Sequence, residues 1–153
     1  MGMPRLIVVA MVLVLMLALP ARAHAACTIS TTAVSFGGYD VFSPTALDAQ
    51  GQISLTCSLI VIGFTVALDR GGAPSFAPRQ LKQGSEPLNY NLYLDAARTT
   101  VWGDGTPGTQ VFTRNGAIVL PQTFQLPVFG RIPANQDVTV GVYTNTVVAT
   151  VSF

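Results

Sequence analysis

The stretch Thr146-Val147-Val148-Ala149-Thr150-Val151-Ser152-Phe153 decides how the rest of the chain is read. Val147, Ala149, Val151 and Phe153 fall on one face of an extended strand. Thr146, Thr150 and Ser152 fall on the other, with Val148 the one apolar residue on that polar side. Side chains alternate with a period of two along a strand, so the run predicts a half-buried β-strand. At about 3.4 Å per residue it spans about 27 Å, enough to cross a whole β-domain. With no polar tail expected after Phe153, its apolar face needs a cover and its edges need partners. Two readings are open at this point: the last strand of an ordinary sandwich, or a strand presented to another protein.

At the other end, residues 1–25 read as a secretory signal. Arg5 supplies the basic start, residues 6–19 are a fourteen-residue apolar run, Pro20 breaks it, and Ala23-His24-Ala25 fits a small-x-small cleavage site. Cleavage after Ala23 also fits. Fourteen residues make about 21 Å of helix, short of the hydrocarbon core of a bilayer, so no permanent anchor is expected. A lipoprotein would need a Leu-like residue three before Cys27, where His24 stands. The expected mature chain, residues 26–153, suits one domain. Without Arg5 and Arg22 it carries six basic and seven acidic side chains. The basic ones, Arg70, Arg79, Lys82, Arg98, Arg114 and Arg131, are scattered singly. Nucleic-acid binding needs clustered positive charge, so that class is set aside. No second long apolar stretch exists, so no membrane span is expected after cleavage. The two cysteines, Cys27 and Cys57, are routed to an oxidising space, where a disulfide is the default. Closing about 30 residues would stabilise the fold by roughly 3.5 kcal/mol in the chain-entropy model.

Strand patterns separated by turn residues fill the space between. Val34 and Phe36 alternate before Gly37-Gly38; Ile53, Leu55 and Cys57 share a face; so do Phe64, Val66 and Leu68, and then Leu88, Tyr90, Leu92 and Leu94. Further strand segments are expected near 110–113, 117–120, 123–131 and 139–143, with a type I′ hairpin turn at Asn115-Gly116. Pro121, Pro127 and Pro133 argue for edges or irregular stretches. Short strands at this spacing predict an all-β sandwich. The run Ser58-Leu59-Ile60-Val61-Ile62-Gly63 stands apart. It reads either as a buried strand continuing from Leu55 or as a loop whose apolar tip, Leu59, Ile60, Val61 and Ile62, binds something.

Residues that carry chemistry are sparse. His24 is the one histidine, and it leaves with the signal or sits at the extreme N-terminus, so nucleophilic catalysis has no base. Asp40, Asp48, Asp69, Glu86, Asp95, Asp104 and Asp137 are dispersed, and a carboxylate pair would have to meet in space. No metal-ligand spacing and no phosphate-cradling glycine motif is present. No catalytic residue, metal site or cofactor is assigned, and an enzyme is the disfavoured class.

The chain resembles the spore coat protein U domain family, which includes subunits of archaic chaperone–usher pili. The likeness is carried by Cys27-Thr28-Ile29, Phe36-Gly37-Gly38-Tyr39-Asp40, Gly51-Gln52-Ile53-Ser54-Leu55-Thr56-Cys57 and Leu88-Asn89-Tyr90-Asn91-Leu92-Tyr93-Leu94-Asp95-Ala96-Ala97-Arg98-Thr99. Val128-Phe129-Gly130-Arg131-Ile132-Pro133 and Gly141-Val142-Tyr143-Thr144-Asn145-Thr146 with the closing strand complete it. The resemblance implies an immunoglobulin-like sandwich that lacks its final strand. Its groove, bordered by Val147, Ala149, Val151 and Phe153, would be filled by a periplasmic chaperone and then by a strand from a neighbouring pilus subunit delivered at an outer-membrane usher. The implied role is structural and adhesive: a secreted subunit of a pilus or coat layer on the cell surface, with apolar surfaces as a possible target of the 59–62 loop. One departure stands out. A polymerising subunit carries an alternating apolar extension ahead of its first cysteine, whereas one to three residues would precede Cys27 after cleavage. That pattern predicts an acceptor-only subunit, a candidate for the fibre tip. The alternative is a free-standing secreted sandwich that binds a glycan or small ligand.

Overall fold

The structure, a computed structural model, describes residues 27–58, 61–118 and 121–153. The expected signal and two residues of the apolar run, Leu59 and Ile60, lie outside the described residues. Eight strands and no helix occur among those described: β1 (Cys27–Thr32), β2 (Leu47–Cys57), β3 (Val61–Leu68), β4 (Arg79–Gln83), β5 (Glu86–Tyr93), β6 (Phe112–Ile118), β7 (Gln122–Ile132) and β8 (Ala149–Ser152). They form a five-stranded sheet, β1-β2-β7-β5-β4, and a three-stranded sheet, β6-β3-β8. Every strand pairing is antiparallel. The order β1-β2-β7-β5 opposite β3-β8 is the A-B-E-D and C-F arrangement of an immunoglobulin-like sandwich. In a complete fold of that type a final strand lies beyond F. Among the described residues nothing pairs with β8 on that side.

The alternation seen in the sequence becomes burial. Ile53, Leu55 and Cys57 of β2, Phe64, Val66 and Leu68 of β3, and Leu88, Tyr90 and Leu92 of β5 face one another in the core. Leu126, Val128 and Ile132 of β7 complete the opposing layer, and Trp102 is sealed in with its indole N–H donating to the Val66 carbonyl at 2.9 Å. Cys27 and Cys57 are direct cross-strand partners and are disulfide-bonded, fastening β1 to β2.

Several expectations are corrected. The Asn115-Gly116 pair makes no hairpin: β6 runs straight through it. Asn115 and Gly116 of β6 face the single Gly63 of β3, so β6 carries one extra residue and the register shifts between Ile62 and Phe64; both Gly63 and Gly116 take positive φ. The left-handed glycines serve a bulge, and that bulge lets Val61 and Phe64 both point inward. Of the segments expected near 110–113 and 117–120, residues 112–113 and 117–118 are accordingly parts of one strand, and 119 and 120 lie outside the described residues. Residues 139–143 form no strand. They are held by side chains instead, Glu86 accepting from both the amide and the hydroxyl of Thr139. Val34 and Phe36 are also outside any strand; they lie across β2 and β7, where a Cβ on Gly51 or Gly130 would meet them at 2.8 or 2.6 Å. The continuous buried strand from Leu55 through the 58–63 run does not form, since β2 ends at Cys57 and β3 starts at Val61. Pro127 sits in β7 between two neighbours, yet β5 pairs only with residues 129–131 of that strand. Its missing N–H therefore falls where β7 is locally an edge.

Candidate functional site

The edge strands β1 and β8 lie on the same side of the sandwich, one in each sheet, and a gap runs between them. Ile29 is the cross-strand partner of Leu55, and residues directly opposite in an antiparallel pair point to the same face. Leu55 is 0% exposed while Ile29 is 47% exposed. Ile29 thus faces inward and is bare because nothing covers it. Phe153 shares the inward side of Val147, Ala149 and Val151, yet it is 62% exposed, its ring 6.5 Å from Phe64.

Toward Thr32 the gap deepens into a cavity of about 300 Å³. One wall is the end of β1 and the segment after it, from Thr31 to Val34, with Phe36; the other is Asn145 to Val147 with Ala149. Ile53, Leu68, Leu81, Tyr90, Leu92 and Val128 form the floor. None of the lining side chains is charged. The polar end of the cavity is self-satisfied: the Asn145 amide donates to the Tyr90 hydroxyl at 2.9 Å, and burial raises the Tyr90 phenol above its ordinary value. Such a lining suits apolar side chains and offers no counter-charge to an ionic ligand.

The free edge of β8 can be assigned by ladder alternation. Asp69 N–H donates to the Val148 carbonyl at 3.0 Å, so Val148 belongs to a hydrogen-bonded pair with β3's end. Bonded and non-bonded pairs alternate, which places Thr150 and Ser152 in bonded pairs with Ala67 and Thr65. Val147, Ala149, Val151 and Phe153 then direct their own N–H and C=O groups away from β3, to the open side. The same four residues offer apolar side chains inward and unpaired backbone groups outward. An extended chain laid along this edge would meet both.

The Spore Coat Protein U domain model matches residues 13–150. The chain belongs to the Spore Coat Protein U domain family. Protein U of Myxococcus xanthus is 30% identical to it over 149 residues, 87% of this chain and 80% of the relative. Among solved structures, the CsuC–CsuE chaperone–tip adhesion subunit pre-assembly complex from archaic chaperone–usher Csu pili of Acinetobacter baumannii matches with a TM-score of 0.58 at 23% identity. The match covers 85% of this chain and 40% of that one, and it is a likeness of fold.

Within this Spore Coat Protein U domain, the structure brings Val147 and Ala149 to the cavity itself. Val151 is half-buried further along the same face, and Phe153 ends it. Most of the floor escaped the sequence reading, because it comes from β2, β3, β4, β5 and β7, distant in sequence and indistinguishable by pattern from ordinary core. Of the run expected as an adhesive loop, Val61 is buried at 4% exposure and Ile62 is 85% exposed, on adjacent positions of β3. The acids do not gather. Asp40, Asp69, Asp95 and Asp104 accept backbone amides in turns, Glu86 holds Thr139, and Asp48 holds Arg131 and Arg98. Among the described residues no three of His, Cys, Asp and Glu are placed to hold a metal ion.

Proposed function

We propose that this chain is a secreted structural and adhesive subunit of a surface pilus or coat layer, assembled by a chaperone–usher pathway, and that its groove accepts a strand from a partner. The observation that carries the reading is the uncovered inward face of both edge strands, Ile29 on β1 and Val147 to Phe153 beside β8, with the β8 backbone edge unpaired. An exposed apolar edge of this kind is an aggregation hazard in a free chain, and strand addition removes it. A periplasmic chaperone would fill the groove first. A neighbouring subunit would replace it at an outer-membrane usher. No catalytic step belongs to this role.

The chain would accept a strand without donating one. With the leader removed after Ala23 or Ala25, the residues ahead of Cys27 are too few to fill the groove of another subunit. That makes the fibre tip its natural place. At the end of the sandwich where β2 passes to β3, Ile62 is exposed and is the described residue of that run that would contact apolar surfaces.

The test is co-expression with the chaperone of its own secretion system. Wild-type protein should co-purify with it, and Val151→Asp should abolish the complex by placing a carboxylate on the groove face. A stable, soluble monomer without any chaperone, unaffected in yield by Val151→Asp, would instead identify a self-complete binding module. N-terminal sequencing of the secreted chain should begin at His24 or Ala26; a long segment ahead of Cys27 would remove the acceptor-only reading.

A further inference from the structure

Arg79 is 0% exposed, and its guanidinium has no carboxylate partner among the described residues. Burying such a charge is unfavourable unless its donors are satisfied. All of its bonds go to neutral acceptors: Nε to the Asp69 carbonyl at 3.0 Å, one terminal nitrogen to Asn91 Oδ1 at 2.8 Å, the other to the Trp102 carbonyl at 2.6 Å. The Phe76 ring lies 5.0 Å from the guanidinium carbon. None of these atoms lines the groove.

In a regular antiparallel ladder Asp69 and Val148 would exchange two backbone bonds. One is made, from Asp69 N–H to the Val148 carbonyl. The reciprocal acceptor, the Asp69 carbonyl, is taken by Arg79. The Val148 amide turns instead to Asp69 Oδ1 at 2.9 Å, which also accepts from the Gly71 amide at 2.9 Å. The wall of the groove is therefore held by a side chain where a backbone carbonyl would ordinarily serve. On the upstream side the same wall is tied at Thr144, which exchanges two backbone bonds with Lys82, and at Asn145, through Tyr90.

We propose that Arg79 and Asp69 form a clamp that sets the position of Val148 and so presents the outward backbone groups of Val147 and Ala149 to an incoming strand. Both are positioning residues, acting through the last strand with no contact to the occupant. The proposal rests on the strand-accepting reading of the groove. It adds that strand acceptance depends on a carboxamide or carboxylate oxygen at position 69.

The test uses the disulfide-bonded chain and a synthetic ten-residue peptide alternating valine and threonine as the strand probe. In wild-type protein the Val148 amide should exchange slowly with solvent, while the Val147, Ala149 and Val151 amides exchange fast and slow down when the peptide binds. A Val148 amide as fast as its neighbours overturns the clamp without any variant having to fold. Asp69→Ala should weaken peptide binding by about tenfold and speed Val148 exchange, in line with the loss of a hydrogen bond to a charged group. Asp69→Asn, which keeps the oxygen, should restore both. Wild-type-like binding by Asp69→Ala, alongside loss of binding by Val151→Asp, would overturn the clamp and leave the groove standing. Binding that survives both Asp69→Ala and Val151→Asp, or no binding even by wild-type protein, would defeat the groove reading and the clamp with it.

Discussion

Strands β2 and β8 share an alternating apolar pattern and end up in opposite circumstances. β2 is eleven residues long, pairs over that length with β7 and over its last six residues with β1, and buries Leu55 completely. β8 is four residues long, pairs among the described residues only with β3, and leaves Val151 half-buried and the adjoining Phe153 mostly exposed. The same sequence signal therefore specifies which face points inward, while the neighbours decide whether that face is covered. What separates them is one missing strand. The residues flanking the gap are apolar, as the proposed acceptance of a partner strand requires.

The largest energetic contrast between the two strands is expected inside β2. Leu55→Ala should lower stability by about 2–5 kcal/mol, as other buried leucines do, whereas Val151→Ala should cost the free protein about 1 kcal/mol or less. Denaturant midpoints of the oxidised proteins would show it, and equal losses would mean that β8 is as well covered as β2. Gly130→Val probes the seat beside the groove. A Cβ there lies 2.6 Å from Val34 and 2.7 Å from the Phe36 ring, so overpacking should cost about 1–3 kcal/mol and displace that wall. Adjacent residues of β3 give the sharpest local contrast. Val61→Asn should cost several kcal/mol by burying an unpaired amide, while Ile62→Asn should change stability by less than about 0.5 kcal/mol and reduce adhesion to an apolar surface. Lost adhesion without lost stability supports the apolar tip; unchanged adhesion removes it.

The smallest effect lies on the outer face of the larger sheet. The hydrogen bond from Arg131 holds the Asp48 carboxyl below its ordinary 3.8 against the opposing desolvation, with the Arg131 and Arg98 charges assisting. A depressed folded value stabilises the fold above 3.8 and loses that contribution as pH falls through the folded value. The pair is partly solvated, so Asp48→Asn should flatten the acid limb of a stability–pH profile by less than about 1 kcal/mol. It should leave neutral-pH groove binding unchanged.

The parts of the molecule legible in the sequence are those where one local rule acts alone. Alternation identified the inward residues of β2, β3, β5 and the final strand, and two cysteines in a secreted chain identified the bridge. Where two rules competed, local reading failed. Asn115-Gly116 carries hairpin chemistry but serves a bulge, because Gly63 opposite it also needs the left-handed region. β4, Arg79-Gln80-Leu81-Lys82-Gln83, shows almost no apolar alternation and exists through its pairing with β5. Residues 139–143 alternate like a strand, yet Glu86 holds them outside any ladder and leaves Val140 and Val142 exposed. Of the cavity beside the final strand, the wall contributed by Val147 and Ala149 was legible as an apolar face; its floor, assembled from five strands, was not. Neither was the buried Arg79, whose acceptors lie at positions 69, 91 and 102.

The proposed function makes the edge of β8 a docking edge for another chain. Amide hydrogen exchange at Ala149 and Val151, measured for the protein alone and in complex with its chaperone, tests this most directly. Both amides should exchange fast in the free protein and become strongly protected in the complex, with Val148 protected throughout. A complex that forms while Ala149 and Val151 keep their free exchange rates would contradict the account.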